Sequence, residues 1–197
     1  MDEPDVKPDI AVLTSVVLPE GFADADIDKL AAPGLRVVAR RVPGGPFAGL
    51  ELYLPTAVMV CIGTAYFTGF FQKAGEDHYD LLKQTAKSMY ARLAGVRVTA
   101  IGSPGKVSAA PKYSLAYSIV GELVPGLSFK LILSTEIAQD DAASGVEAFL
   151  DLIRDIHAGT IDEARLQPLL EHKPIGGVVL VTFDSASGEI VAVDPHG

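Results

Sequence analysis

The spacing of apolar residues changes along the chain, and each change predicts an element. Residues 10–18 (IAVLTSVVL) are rich in β-branched side chains and lie between Pro8 and Pro19, as a strand does. Residues 24–30 follow as one or two helical turns, and 35–42 (LRVVARRV) as a second strand. The glycines and prolines of 43–49 mark a loop, with a short strand over 50–54. From Pro55 the pattern predicts a long broken helix over about 55–94, divided at Ala74 and Gly75. Its second half is amphipathic: Leu82, Ala86, Met89 and Leu93 recur at helical spacing, with Lys83 and Lys87 on another face.

Short strands return afterwards, over 96–101, 113–124 and 127–135. The last two are joined across Pro125 and Gly126, which read as a type II turn and hence a hairpin. Residues 140–157 place Val146, Phe149, Leu150, Ile153 and Ile156 on one helical face. A short helix broken at Pro168 follows. Strands over 178–183 and 189–193 close the chain, joined by a DSASG hairpin loop. The expectation is one α+β domain over 1–197, with 1–9 disordered. Its mostly antiparallel sheet has about six to eight strands, packed on the long broken helix and the second helix at 140–157.

The first half of that long helix, 52–71 (LYLPTAVMVCIGTAYFTGFF), carries no charge and is long enough for a membrane span. Pro55, Thr56, Gly63, Thr64, Thr68 and Gly69 dilute its hydrophobicity, and its flanks lack a positive-inside asymmetry. A span here would also isolate about fifty N-terminal residues, too few for their own core. A buried core helix accounts for the segment better.

Charge changes the picture modestly. A net charge of −9 repels phosphate backbones, and Arg36, Arg40, Arg41 and Lys83, Lys87, Arg92 do not interleave with aromatics, so nucleic acid is not expected. The single cysteine, Cys61, excludes an internal disulfide and a cysteine-based metal knuckle. It reads as a small buried hydrophobe. The N-terminal residues lack a basic and apolar leader, and a cytoplasmic setting is expected.

Chemistry is sparse. Phosphate-loop, dinucleotide and nucleophile-elbow motifs are absent, no histidine pair has metal-ligand spacing, and no cofactor or metal is expected. His78 stands among Glu76, Asp77 and Asp80, carboxylates able to orient an imidazole for general-base work. The same residues suit an acid-rich first helical turn, favoured by the dipole. His157 ends the second helix, His172 and His196 carry no motif, and Lys106 and Ser108 lie in a Gly/Pro/Ser loop. Tyr66, Phe67, Phe70 and Phe71 form an aromatic cluster of the kind enriched in interface cores.

Three readings follow. The foremost is a non-enzymatic interaction or regulatory protein, acting on a protein partner or a second copy through Tyr66, Phe67, Phe70 and Phe71. The second is an enzyme centred on His78 with Asp77, Glu76 and Asp80. The third is a membrane-associated protein using 52–71.

Overall fold

The computed structural model describes residues 7–43, 53, 56–93, 96, 98 and 112–193. Along the chain come β1 (Ile10–Ser15), α1 (Asp24–Leu30), β2 (Val37–Val42), β3 (Val58–Ile62), a π-helical turn (Tyr66–Phe70), α2 (Phe71–Ala74) and α3 (Glu76–Leu93). Then follow β4 (Tyr113–Val124), β5 (Leu127–Ser134), α4 (Gln139–Ala158), α5 (Glu163–Leu170), β6 (Val178–Asp184) and β7 (Glu189–Ala192). The strands form one sheet in the order β2-β1-β3-β4-β5-β6-β7. The α+β class, the strand number and the helix expected at 140–157 stand; of the long broken helix expected over about 55–94, the amphipathic second half stands as α3. The sheet is mixed, with parallel and antiparallel neighbours alternating across it.

The segment over 52–71 is not one helix. Its middle is β3, with Val58, Val60 and Ile62 buried and Met59 and Cys61 less so, the alternation of a strand. β3 lies between β1 and β4, hydrogen-bonded on both sides. A short apolar run fits a buried strand or a buried helix equally; pairing partners far away in sequence decide. The helical part starts only after Gly63, where an added Cβ would lie 3.2 Å from the Pro8 carbonyl oxygen. The expected strands over 50–54 and 96–101 fall largely outside the described residues. So do residues 1–6 of the expected disordered lead, the loop at 102–111 with Lys106 and Ser108, Pro55 and His196.

All the long helices cover one face of the sheet. Ile10 and Val12 of β1, Val60 of β3, Ile119 of β4, Leu131 of β5 and Val181 of β6 point there. They meet Leu82 and Met89 of α3 and Val146, Phe149 and Ile153 of α4, all essentially inaccessible to water. Burying such side chains contributes roughly 1.5–3 kcal/mol each. Because β1, β2, β5 and β6 run one way and β3 and β4 the other, sharing one face has a consequence. The β5–β6 crossover has the opposite hand to β1–β2 and β3–β4, although crossovers are nearly always right-handed.

Polar contacts fasten these layers. The Tyr117 hydroxyl donates to the Ala86 carbonyl at 2.9 Å, tying β4 to α3. The Asp26 carboxylate, 1% exposed, is held by Arg92, so α1 is pinned to the end of α3. The Arg92 guanidinium also stacks 4.8 Å from the Phe22 ring. Pro168 lies inside α5 without ending it. That helix starts where the Asp162 side chain accepts from the Ala164 N–H at 2.9 Å.

Candidate functional site

The two sets of residues singled out in the sequence come together at the π-helical turn. A π-turn carries one extra residue, and here the Phe71 N–H reaches back to the Tyr66 carbonyl. This turn swings the Tyr66 ring inward, where it is fully buried. Gly75, at φ +74°, then separates α2 from α3 and folds His78 back over the turn. The Tyr66 hydroxyl lies 3.1 Å from His78 Nδ1, and His78 Nε2 lies 3.0 Å from the Leu30 carbonyl oxygen. A carbonyl only accepts, so Nε2 carries the proton, and in the neutral ring Nδ1 accepts from Tyr66. The Phe70 ring meets the imidazole edge-on at 4.8 Å.

Glu76, Asp77 and Asp80 are exposed and none bonds the imidazole among the described residues. Tyr66 and Phe67 are buried, and Phe70 and Phe71 are half-buried. His78 joins α1, the π-turn and α3 through both ring nitrogens. It has no nitrogen left to accept a proton from a substrate. Burial pushes the Tyr66 phenol well above its ordinary range.

Beside this cluster runs an open groove of about 580 Å³, floored by Phe70 and Gly69 and edged by Asp9, Gly34 and Lys73. Asp9 already accepts from the Arg36 N–H at 2.7 Å. At the far side of the π-turn Glu122 closes the helix start, accepting from the Thr64 N–H at 3.2 Å and pairing with Lys7. Burial alone would raise its pKa; Lys7, the Thr64 N–H and His157 outweigh that and hold it below the usual carboxylate range. His157 stacks on Phe67 at 4.8 Å and bonds the Glu122 carbonyl oxygen at 2.8 Å. His172 is exposed and lies 3.2 Å from the Pro168 carbonyl oxygen.

A third polar group stitches α3 to α4. Tyr79 donates to Asp151 at 3.0 Å, Lys83 pairs with Asp151 at 2.7 Å, and Lys83 and Arg154 flank the Tyr79 ring. Among the described residues no three His, Cys, Asp or Glu side chains are grouped as metal ligands. No helix among them is long and apolar enough to cross a membrane.

The second face of the sheet holds a residue with no signature in the sequence, Lys130, 1% exposed. It lies on one row with Cys61: Cys61 is opposite Val120, and Val120 opposite Lys130. Burial pushes the Lys130 ammonium down to about 8 from an ordinary 10.5. Burial pushes the Cys61 thiol up to about 11 from 9.0, against the pull of Lys130 and Lys7. These shifts predict a non-monotonic stability curve. Between pH 8 and pH 9 folded Lys130 loses its proton while the unfolded lysine keeps it. The unfolded state then binds more protons, so stability rises with pH, Lys130 contributing about 1 kcal/mol over that window and the Cys61 thiol offsetting part of it. Above about pH 9 the unfolded Cys61 thiol and the unfolded Tyr66, Tyr79 and Tyr117 phenols ionise before their buried counterparts; together they outweigh the continuing rise from Lys130, and stability falls again. Urea unfolding across this range measures the curve, and Lys130→Met should flatten the rise. A wild-type curve that only falls would contradict it.

The least ordinary exposed feature is β2. It is an edge strand paired in parallel with β1, and no described strand lies on its outer side. The Asp9 and Ile10 N–H groups bond the Arg36 carbonyl, and the Val16 N–H bonds the Val42 carbonyl. By strand alternation the N–H and C=O groups of Val37, Ala39 and Arg41 therefore point away from β1. Ala39, Arg40 and Arg41 are exposed. At the other edge, β7 is only four residues long and has α5 packed beside it. Neither edge was singled out in the sequence, because which strand lies outermost is a property of the sheet.

Comparison with protein-family models, with curated proteins and with solved structures finds no match to this chain.

Proposed function

We propose that the chain is a non-enzymatic interaction protein of the cytoplasm, binding a protein partner by main-chain pairing along the outer edge of β2. The observation that carries this is the row of outward N–H and C=O groups at Val37, Ala39 and Arg41 on a six-residue edge strand whose Ala39, Arg40 and Arg41 are exposed. Edges of this kind usually carry a protection, such as extreme shortness, a proline or a covering helix. Residues 37–42 hold no proline; the strand carries two arginines, and α1 packs against it. Strand addition draws its affinity from backbone pairing and its specificity from alternate side chains. The aromatic cluster at 66–71 serves this reading as a rigid support. Its rings are spent on the core and on His78, which leaves the enzyme reading less to work with. The unpaired thiol of Cys61 suits a reducing compartment.

The test uses Ala39→Pro. The Ala39 N–H points outward, so proline there removes no bond to β1 but blocks an added strand. Extended peptides selected from a random library on the wild-type chain should bind the variant at least about tenfold more weakly, with the thermal midpoint little changed. Selected peptides that bind both chains equally would exclude the β2 edge as the binding site.

A further inference from the structure

Building on that edge reading, we infer that the partner is an extended segment of another protein with an acidic residue opposite Arg40, flanked by apolar residues. The side chains of β2 alternate between the two faces of the sheet. Val37 and Ala39 share the helix-covered face with their β1 neighbours Ile10 and Val12. Arg41 lies on that face too, and its guanidinium donates to the carbonyl oxygens of Val16 and Leu18 at 3.1 Å and 3.0 Å. Val38, Arg40 and Val42 form the row on the second face.

Arg40 is exposed and, like Arg36, Arg41 and several lysines, has no carboxylate partner among the described residues of a chain of net charge −9. Among the described residues it takes part in no ion pair, nor does Arg36, while Arg92, Arg154, Lys83 and Lys87 are all paired. An added strand would set one side chain opposite each of Val38, Arg40 and Val42. The complementary row is apolar, acidic, apolar, since opposite charges directly across a sheet stabilise it and like charges destabilise it.

The same charge disfavours a second copy as the occupant. Pairing β2 with itself would gather Arg40 and Arg41 of both chains on one short ribbon with no carboxylate in the strand between them.

The experiment uses the full chain and two labelled peptides, with cores Val-Thr-Glu-Thr-Val and Val-Thr-Lys-Thr-Val, read by fluorescence anisotropy and amide chemical-shift mapping. The acidic peptide should bind about tenfold more tightly than the basic one at low salt, converging as salt is raised. It should perturb the amides of Val37, Ala39 and Arg41. Arg40→Glu should reverse the preference, and Ala39→Pro should abolish binding of both peptides. If both peptides bind equally and Ala39→Pro abolishes both, the acidic-partner inference fails while the edge reading survives. If neither binds, or binding ignores Ala39→Pro, both fail. A dimer in sedimentation that Ala39→Pro dissociates would make a second copy the occupant and overturn the acidic partner.

Discussion

Gly177→Ala should destabilise the fold by about 3 kcal/mol or more, the largest effect expected of any single methyl group here. Gly177 sits at φ +80°, a conformation that costs an alanine about 1–2 kcal/mol by itself. The added Cβ would also lie 2.3 Å from the carbonyl oxygen of Gly126. That oxygen belongs to the backbone of the β4–β5 turn, which cannot rotate away as a side chain would. The Gly177 carbonyl meanwhile accepts from the Ser128 N–H at 2.8 Å, where the pairing of β5 with β6 begins. Moving either chain to relieve the clash therefore opens the ladder. Gly126→Ala is the control, because its φ is +89° but an added Cβ there meets nothing within 4 Å. It should lose only the conformational part, about 1–2 kcal/mol. Urea unfolding of the two variants separates clash from backbone strain. Equal losses would mean that the turns are not in contact.

Gly121→Ala should cost about 2 kcal/mol through overpacking alone. Gly121 is in β4, beneath α4, and an added Cβ would stand 2.6 Å from Cγ1 and 2.8 Å from Cδ1 of Ile153. Ile153 is wholly buried, between sheet and helix, so it has no free space to move into. The absence of a side chain at Gly121 is what allows α4 to lie close to the sheet. The double variant Gly121→Ala/Ile153→Ala tests this directly. Residues in contact are not additive, and the new methyl would occupy space that the shortened Ile153 leaves. The pair should be at least about 1 kcal/mol less destabilised than the sum of the single changes. Strict additivity would remove the proposed contact.

These two glycines show how legibility divides. Pro125 and Gly126 announced a hairpin because turn chemistry is local, and the β4–β5 hairpin is there. Nothing in the sequence announced that the same turn would touch Gly177. In the candidate site, His78 and Tyr66 were both legible as unusual residues, one for its acidic neighbours and one for its aromatic ones. Their hydrogen bond was not, because it depends on the π-turn and on the break at Gly75. The carboxylates beside His78 in sequence point to solvent, and its actual partners come from α1 and the π-turn.

Local pattern determined what can be read over a few residues. The amphipathic faces of α3 and α4, the two hairpins and the α+β class all follow from period and turn residues within short windows. Tertiary structure decided whatever depends on partners far along the chain. It made Val58–Ile62 a strand by supplying β1 and β4 on its two sides. It buried Lys130 on the second face, and it left β2 at the edge with its outward backbone groups unmatched by any described strand. A backbone hydrogen bond between strands is specified by both of them at once. Strand order, and with it the exposed edge proposed to bind, is therefore settled only when the whole sheet assembles.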